Sequence, residues 1–107
     1  MAIVIKETAS FSKSYENIAD RKAAARILAR ITRIKTSGEV CGSEFKNFGD
    51  CKVVHGTILM LKINVGKGHR VYLVRTSDQE FTAVHCGIKD TQDADIQLVK
   101  KTITELF

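Results

Sequence analysis

Four apolar segments follow one another between residues 52 and 87 with only a few residues between each. Lys52 to His55, Thr57 to Val65, His69 to Thr76 and Glu80 to Gly87 are rich in Val, Ile, Leu and Tyr, and Gly56, Gly66-Lys67-Gly68 and Ser77-Asp78 punctuate them. Connections this short cannot carry a crossover helix, so consecutive strands must lie side by side and antiparallel, as a meander. A chain so constrained has one sheet at its centre.

The remaining segments are read as what covers that sheet. Ala2 to Lys6, with Ile3, Val4 and Ile5, reads as a first short strand at one edge. From Ser12 to about Thr36 the period turns helical, with Tyr15, Ile18, Ala19, Ala24, Ile27, Leu28, Ile31 and Ile34 three or four residues apart. Asp20 can cap a second helix there, which predicts a helical hairpin or one long kinked helix and puts Arg26, Arg30 and Arg33 on one exposed stripe. Ser37 to Gly49 holds three of the seven glycines and reads as a loop. Thr91 to Leu106 carries Ile96, Val99, Ile103 and Leu106 on one face, with Asp93 and Asp95 early and Lys100 and Lys101 late, in keeping with the helix dipole. The expectation is one α+β domain over residues 1–107. It would be an antiparallel sheet of four to five strands with an N-terminal helical hairpin and a C-terminal helix, helices on one sheet face and the other face open to a ligand.

Charge narrows the partners. Seventeen Lys and Arg against 12 Asp and Glu leave a net charge of +5, which favours phosphate or carboxylate partners, nucleic acid or an acidic protein. No apolar run is long enough to cross a bilayer and the N terminus is too short for a signal sequence, so the expected compartment is the cytoplasm, with no membrane partner. Three cysteines, Cys41, Cys51 and Cys86, form no C-x-x-C pair and are read as reduced thiols.

Strand alternation then assigns faces. In Thr57 to Val65, Leu59, Leu61, Ile63 and Val65 share one face, while Ile58, Met60, Lys62 and Asn64 share the other. In His69 to Thr76, Arg70 and Tyr72 project together. The hairpin brings Lys62 and Arg70 close, where like charges repel unless an anion lies between them; the alternative is an ordinary solvated face. Tyr72 is either a core aromatic with its hydroxyl at the rim or a base-stacking platform. Arg26, Arg30 and Arg33 either grip a phosphate backbone or simply face solvent. His85 with Lys89 could serve acid–base chemistry near neutral pH, or His85 could be a satisfied core histidine. Cys51, His55, His69, His85 and Cys86 show no metal-ligand spacing, so neither a metal nor another cofactor is expected. Gly66-Lys67-Gly68 lacks the Walker spacing and is a hairpin turn.

In order along the chain stand Asp20-Arg21, Ala25-Arg26-Ile27-x-x-Arg30-Ile31, Gly49-Asp50-x-Lys52, Leu61-Lys62-Ile63, Gly66-x-Gly68-His69-Arg70-Val71-Tyr72 and Cys86-Gly87-Ile88-Lys89-Asp90-Thr91-Gln92-Asp93-x-Asp95-Ile96. This ordered set resembles the RelE/ParE toxin superfamily, nearest to its HigB-like, phage-derived addiction module killer branch. The resemblance implies a microbial-RNase-type fold, a cognate antitoxin partner, and metal-independent cleavage of mRNA on the translating ribosome, with rRNA contacts, through attack by the ribose 2′-hydroxyl. It implies that Lys52 contacts or activates the 2′-oxygen, that Lys62 and Arg70 hold the phosphate, and that Lys89 or Arg70 assists departure of the 5′-oxygen. Tyr72, His69, His85, Arg26 and Arg30 are the expected RNA contacts. Lys62 stands where the family usually has Arg, and His69 where Tyr is common; lysine gives a point charge in place of a bidentate fork. Two competing readings stand beside this one: a ParE-like poison of DNA gyrase, or a non-catalytic module that binds nucleic acid or a partner helix.

Overall fold

The computed structural model describes residues 3–38 and 51–106. The Ser37 to Gly49 loop expected from the sequence therefore lies almost wholly outside the described residues, as do Ala2, Cys41 and the Gly49-Asp50 pair. In chain order come β1 (Val4–Glu7), α1 (Ala9–Glu16), α2 (Arg21–Ser37), β2 (Cys51–His55), β3 (Ile58–Ile63), β4 (His69–Ser77), β5 (Glu80–Ile88), a 3-10 turn (Lys89–Thr91) and α3 (Gln92–Leu106).

The strands form one five-stranded sheet ordered β1-β5-β4-β3-β2. From β2 to β5 it is the antiparallel meander that the short connections demand. The strand β1 corrects the expectation of a wholly antiparallel sheet: it occupies the edge beside β5 and runs parallel to it, Val4 facing Glu80 and Glu7 facing Ala83. Two helices separate β1 from the rest of the sheet, so no tight turn dictates its direction.

Each N-terminal helix starts on a side-chain cap. The Thr8 hydroxyl accepts from the Phe11 amide, and Asp20 Oδ1 accepts from the Ala23 amide at 3.2 Å. Gly38, at φ 75°, closes α2 in the left-handed conformation. A strand precedes these helices, and α1 packs on β5 while α2 lies over β1 and β3. The Tyr15 hydroxyl donates to the Ala24 carbonyl at 2.9 Å and ties the pair together.

The sheet has two cores. Under α1 and α2 lie Ile5, Phe11, Ile27, Ile31, Ile34, Leu59, Leu61, Val71, Leu73 and Phe81. On the opposite face Ile58, Met60, Tyr72, Val74 and Val84 pack with Val99 of α3. The face expected to stay open is thus covered over much of its length, because Ile58, Met60 and Val74 need burial as much as their neighbours do. Cys86 is a free buried thiol, pushed up to about 12 by desolvation, whereas Cys51 is disulfide-bonded and departs from the all-reduced expectation.

Candidate functional site

Directly opposed residues of an antiparallel pair share a face, so the register converts sequence into geometry. Lys52 faces Met60, Met60 faces Tyr72, and Tyr72 faces His85, one row running across β2 to β5. In the next row Lys62 faces Arg70, and Arg70 faces Gly87. Both rows lie on the face that α3 partly covers. Opposed Cβ atoms lie about 5 Å apart and diagonal ones about 7–8 Å, so Lys52, Lys62 and Arg70 form a cationic patch at one end of the sheet.

Arg70 is the anchored member. It is only 5% exposed, its Nε donates to Gln92 Oε1 at 3.1 Å, and one terminal nitrogen donates to the His69 carbonyl at 3.1 Å. A guanidinium has five N–H groups, so these two bonds fix its plane and leave donors for an anion. Lys62 is half-buried and Lys52 exposed. The amide of Lys89 donates to the Gly68 carbonyl at 2.8 Å, which pins the start of the 3-10 turn to the β3–β4 hairpin. A Cβ at Gly68, whose φ is 79°, would lie 3.5 Å from the Lys89 Cβ and 3.6 Å from an Arg70 terminal nitrogen. Lys89, which is exposed, and Arg70 therefore flank one hairpin.

Behind the cations lies a polar seam. His85 Nε2 is 3.1 Å from Asp95 Oδ1, and the Thr91 hydroxyl donates to Asp95 Oδ2 at 2.6 Å. Asp95 approaches so closely that a Cβ at Gly87 would collide with its carboxylate. The rings of Tyr72 and His85 are stacked, 6.0 Å between centroids. Tyr72 is completely buried and its hydroxyl finds no partner among the described residues; desolvation first, then the nearby Asp95 charge, pushes its phenol up to about 12 while Arg70 pulls the other way. In this position it is the floor under the cations, with no ring face free for a base.

The other expected contacts are dispersed. His69 is buried on the opposite face, under the α1–α2 connection. Arg26 and Arg30 lie on α2, Arg26 exposed and Arg30 half-buried, and with Arg33 they line a groove that also takes in Lys62 to Val65. So the fold gathers Lys52, Lys62, Arg70, Lys89 and, behind them, Tyr72 and His85, leaves His69 on the other face, and brings Arg26 and Arg30 near the patch only through the groove they share with Lys62. Sequence reasoning gave Gln92 and Asp95 no role at the site: it named them within the ordered set that carries the resemblance and as part of a helix. Gly87 inside a strand was the signal of a close approach by something, and Asp95 is that thing.

No family model matches the chain. An uncharacterized protein of Haemophilus influenzae is 37% identical over 106 residues, which cover 99% of this chain and 98% of that protein. Among solved structures, an E. coli toxin RelE mutant in the free state superposes with a TM-score of 0.62 at 12% identity, over 94% of this chain and 98% of that one. The RelBE2 toxin–antitoxin complex of Mycobacterium tuberculosis gives a TM-score of 0.47 at 10% identity, over 83% of this chain and 100% of that one, too slight a likeness to build on. The chain therefore belongs to one family with the Haemophilus influenzae protein and is folded like the RelE toxin.

Proposed function

We propose that this protein is the toxin of a type II toxin–antitoxin pair, a metal-independent endoribonuclease that cuts mRNA during translation. The observation that carries the reading is the opposed pair Lys62 and Arg70, with Lys52 diagonal to it and Lys89 at the adjoining turn. Two like charges across neighbouring strands repel, and a phosphate between them turns that cost into attraction. The RelE-type fold agrees with the reading.

In this reaction the ribose 2′-oxygen forms a new bond to phosphorus as the bond to the 5′-oxygen breaks, leaving a 2′,3′-cyclic phosphate and a 5′-hydroxyl. One proton leaves the 2′-hydroxyl and one reaches the departing oxygen. Lys52 contacts the 2′-oxygen, Lys62 and Arg70 bear the rising charge on the phosphate, and Lys89 assists the leaving group. Arg70 needs no reorganisation at that moment, because Gln92 and the His69 carbonyl already hold it. The branch is HigB-like, the compartment is the cytoplasm, where the ribosome is, and an antitoxin covers the basic face or the Arg26 and Arg30 side of α2.

Expression of the parent chain and of Lys62→Ala and Arg70→Ala variants from a tightly repressed promoter tests the proposal. The parent is expected to arrest growth and the folded variants are expected not to. Arrest that survives both substitutions would remove the cations from the mechanism and favour a gyrase poison acting through the helices.

A further inference from the structure

Lys89 lies in the three-residue 3-10 turn between β5 and α3, where no ladder of strand or helix bonds fixes the backbone. Its place comes from separate bonds. The Lys89 amide donates to the Gly68 carbonyl at 2.8 Å, and the Lys89 carbonyl accepts from the Gln92 amide. Just before it, the Ile88 amide donates to the Thr91 hydroxyl at 3.3 Å. That hydroxyl has one proton to give. The Asp95 carboxylate at 2.6 Å takes it in preference to the Ile88 carbonyl at 3.2 Å, because a bond to an ionised acceptor is the stronger one. The other carboxylate oxygen, Oδ1, accepts from His85 Nε2 at 3.1 Å. Asp95 therefore closes a chain of bonds that runs from the Ile88 amide through the Thr91 hydroxyl to the His85 ring on β5.

Each link in that chain has one direction. A carboxylate only accepts, so in the neutral His85 ring the proton sits on Nε2, while Nδ1, buried with no partner among the described residues, keeps its lone pair. Asp95 is 9% exposed, and the missing side chain of Gly87 leaves its carboxylate room to reach β5. A buried carboxylate with both oxygens committed does not touch RNA; it holds what does. We propose that Asp95, acting through Thr91, is the positioning residue for Lys89, fixing the turn so that the ammonium meets the departing 5′-oxygen; the inference rests on the RNA-cleaving reading above. Gln92 joins this half of the site to the other, since its amide holds the Lys89 carbonyl and its side chain holds Arg70. The two halves differ in when they act. Lys62 and Arg70 grip the phosphate before and during the reaction, whereas Lys89 matters as the leaving oxygen takes up charge. Loss of the positioning bonds should therefore slow the chemical step and spare binding.

Single-turnover cleavage of a message on programmed ribosomes gives a maximal rate and a half-saturating protein concentration for each chain. Thr91→Val removes the hydroxyl at nearly constant volume and is expected to lower the maximal rate roughly 10- to 100-fold with half-saturation unchanged, and Thr91→Ser to restore it. Asp95→Asn should show the same split, because its single amide oxygen cannot accept from both Thr91 and His85. In a Lys89→Ala background Thr91→Val should cost nothing further, since no ammonium is left to place. Amide hydrogen exchange at Ile88 and Lys89, which needs no RNA, should quicken in Thr91→Val while that of β3 and β4 stays as in the parent. A parental rate in Thr91→Val, or a full additional loss on top of Lys89→Ala, would overturn the positioning role and leave the cleavage reading standing. A parent chain that leaves the message whole would sink the cleavage reading, and this inference with it.

Discussion

At the scale of single residues, Tyr72 is held for its ring. The ring fills the second core and backs His85, while the hydroxyl is buried without a partner among the described residues. Tyr72→Phe removes an unsatisfied polar atom and no contact, so stability to urea at pH 7 is expected to stay level or rise. The same residue sets the alkaline limit of the fold. Its phenol and the Cys86 thiol both stand near 12 in the folded chain, against about 10 and 8.5 for free side chains. Raised acids of this kind favour the folded state as long as they are neutral. Their contribution is whole below about pH 8.5 and is lost as the pH rises toward 12. Unfolding midpoints should fall through that window, and less steeply in Tyr72→Phe; a midpoint flat to pH 11 would contradict the burial. Gly87 works by absence. Gly87→Ala would push a methyl group into the Asp95 carboxylate and against the Thr91 hydroxyl, 3.3 Å away, at a cost of about 1–3 kcal/mol, measurable by urea denaturation.

Among the elements, α3 has two tasks that meet in its first two turns. Val99 buries the lower half of the sheet face, and Gln92 and Asp95 hold Arg70 and His85 at the upper end. The two tasks can be separated. Val99→Ala should cost about 2 kcal/mol of stability and leave the proposed RNA cleavage by the folded fraction unchanged. Gln92→Ala should cost little stability, since Gln92 is only half-buried, but loosen Arg70 and lower the cleavage rate about tenfold. The sequence made α3 legible as a helix, and its apolar stripe was plain, but a stripe does not say which face of a sheet it will meet. The hint lay in β3, where Ile58 and Met60 are as apolar as Leu59 and Leu61: a strand apolar on both sides is covered on both sides. The β1 strand was legible as an edge and not in its direction, which depends on pairing with β5 some 75 residues away. The meander was legible because its turns are short, and Lys62 facing Arg70 followed from the hairpin alone.

For the whole molecule, a net charge of +5 becomes functional only where the fold concentrates it. Lys52, Lys62, Arg70 and Lys89 come from β2, β3, β4 and the turn after β5, four segments that share one end of the sheet. Their convergence could be read in outline from strand alternation, whereas the supports that hold Arg70 could not, because Gln92 reaches it through the tertiary docking of α3. If these four cations hold RNA, affinity for a short single strand should fall with salt at a logarithmic slope of roughly −2 to −3, and Lys62→Ala should make that slope shallower by about 0.7. The most direct measurement of the central claim is a map of mRNA 5′ ends in cells expressing the parent chain or Arg70→Ala. New ends at positions set by the reading frame, present with the parent and gone in the variant, are the expected result. Growth arrest with messages intact, or identical cuts from both chains, would contradict it.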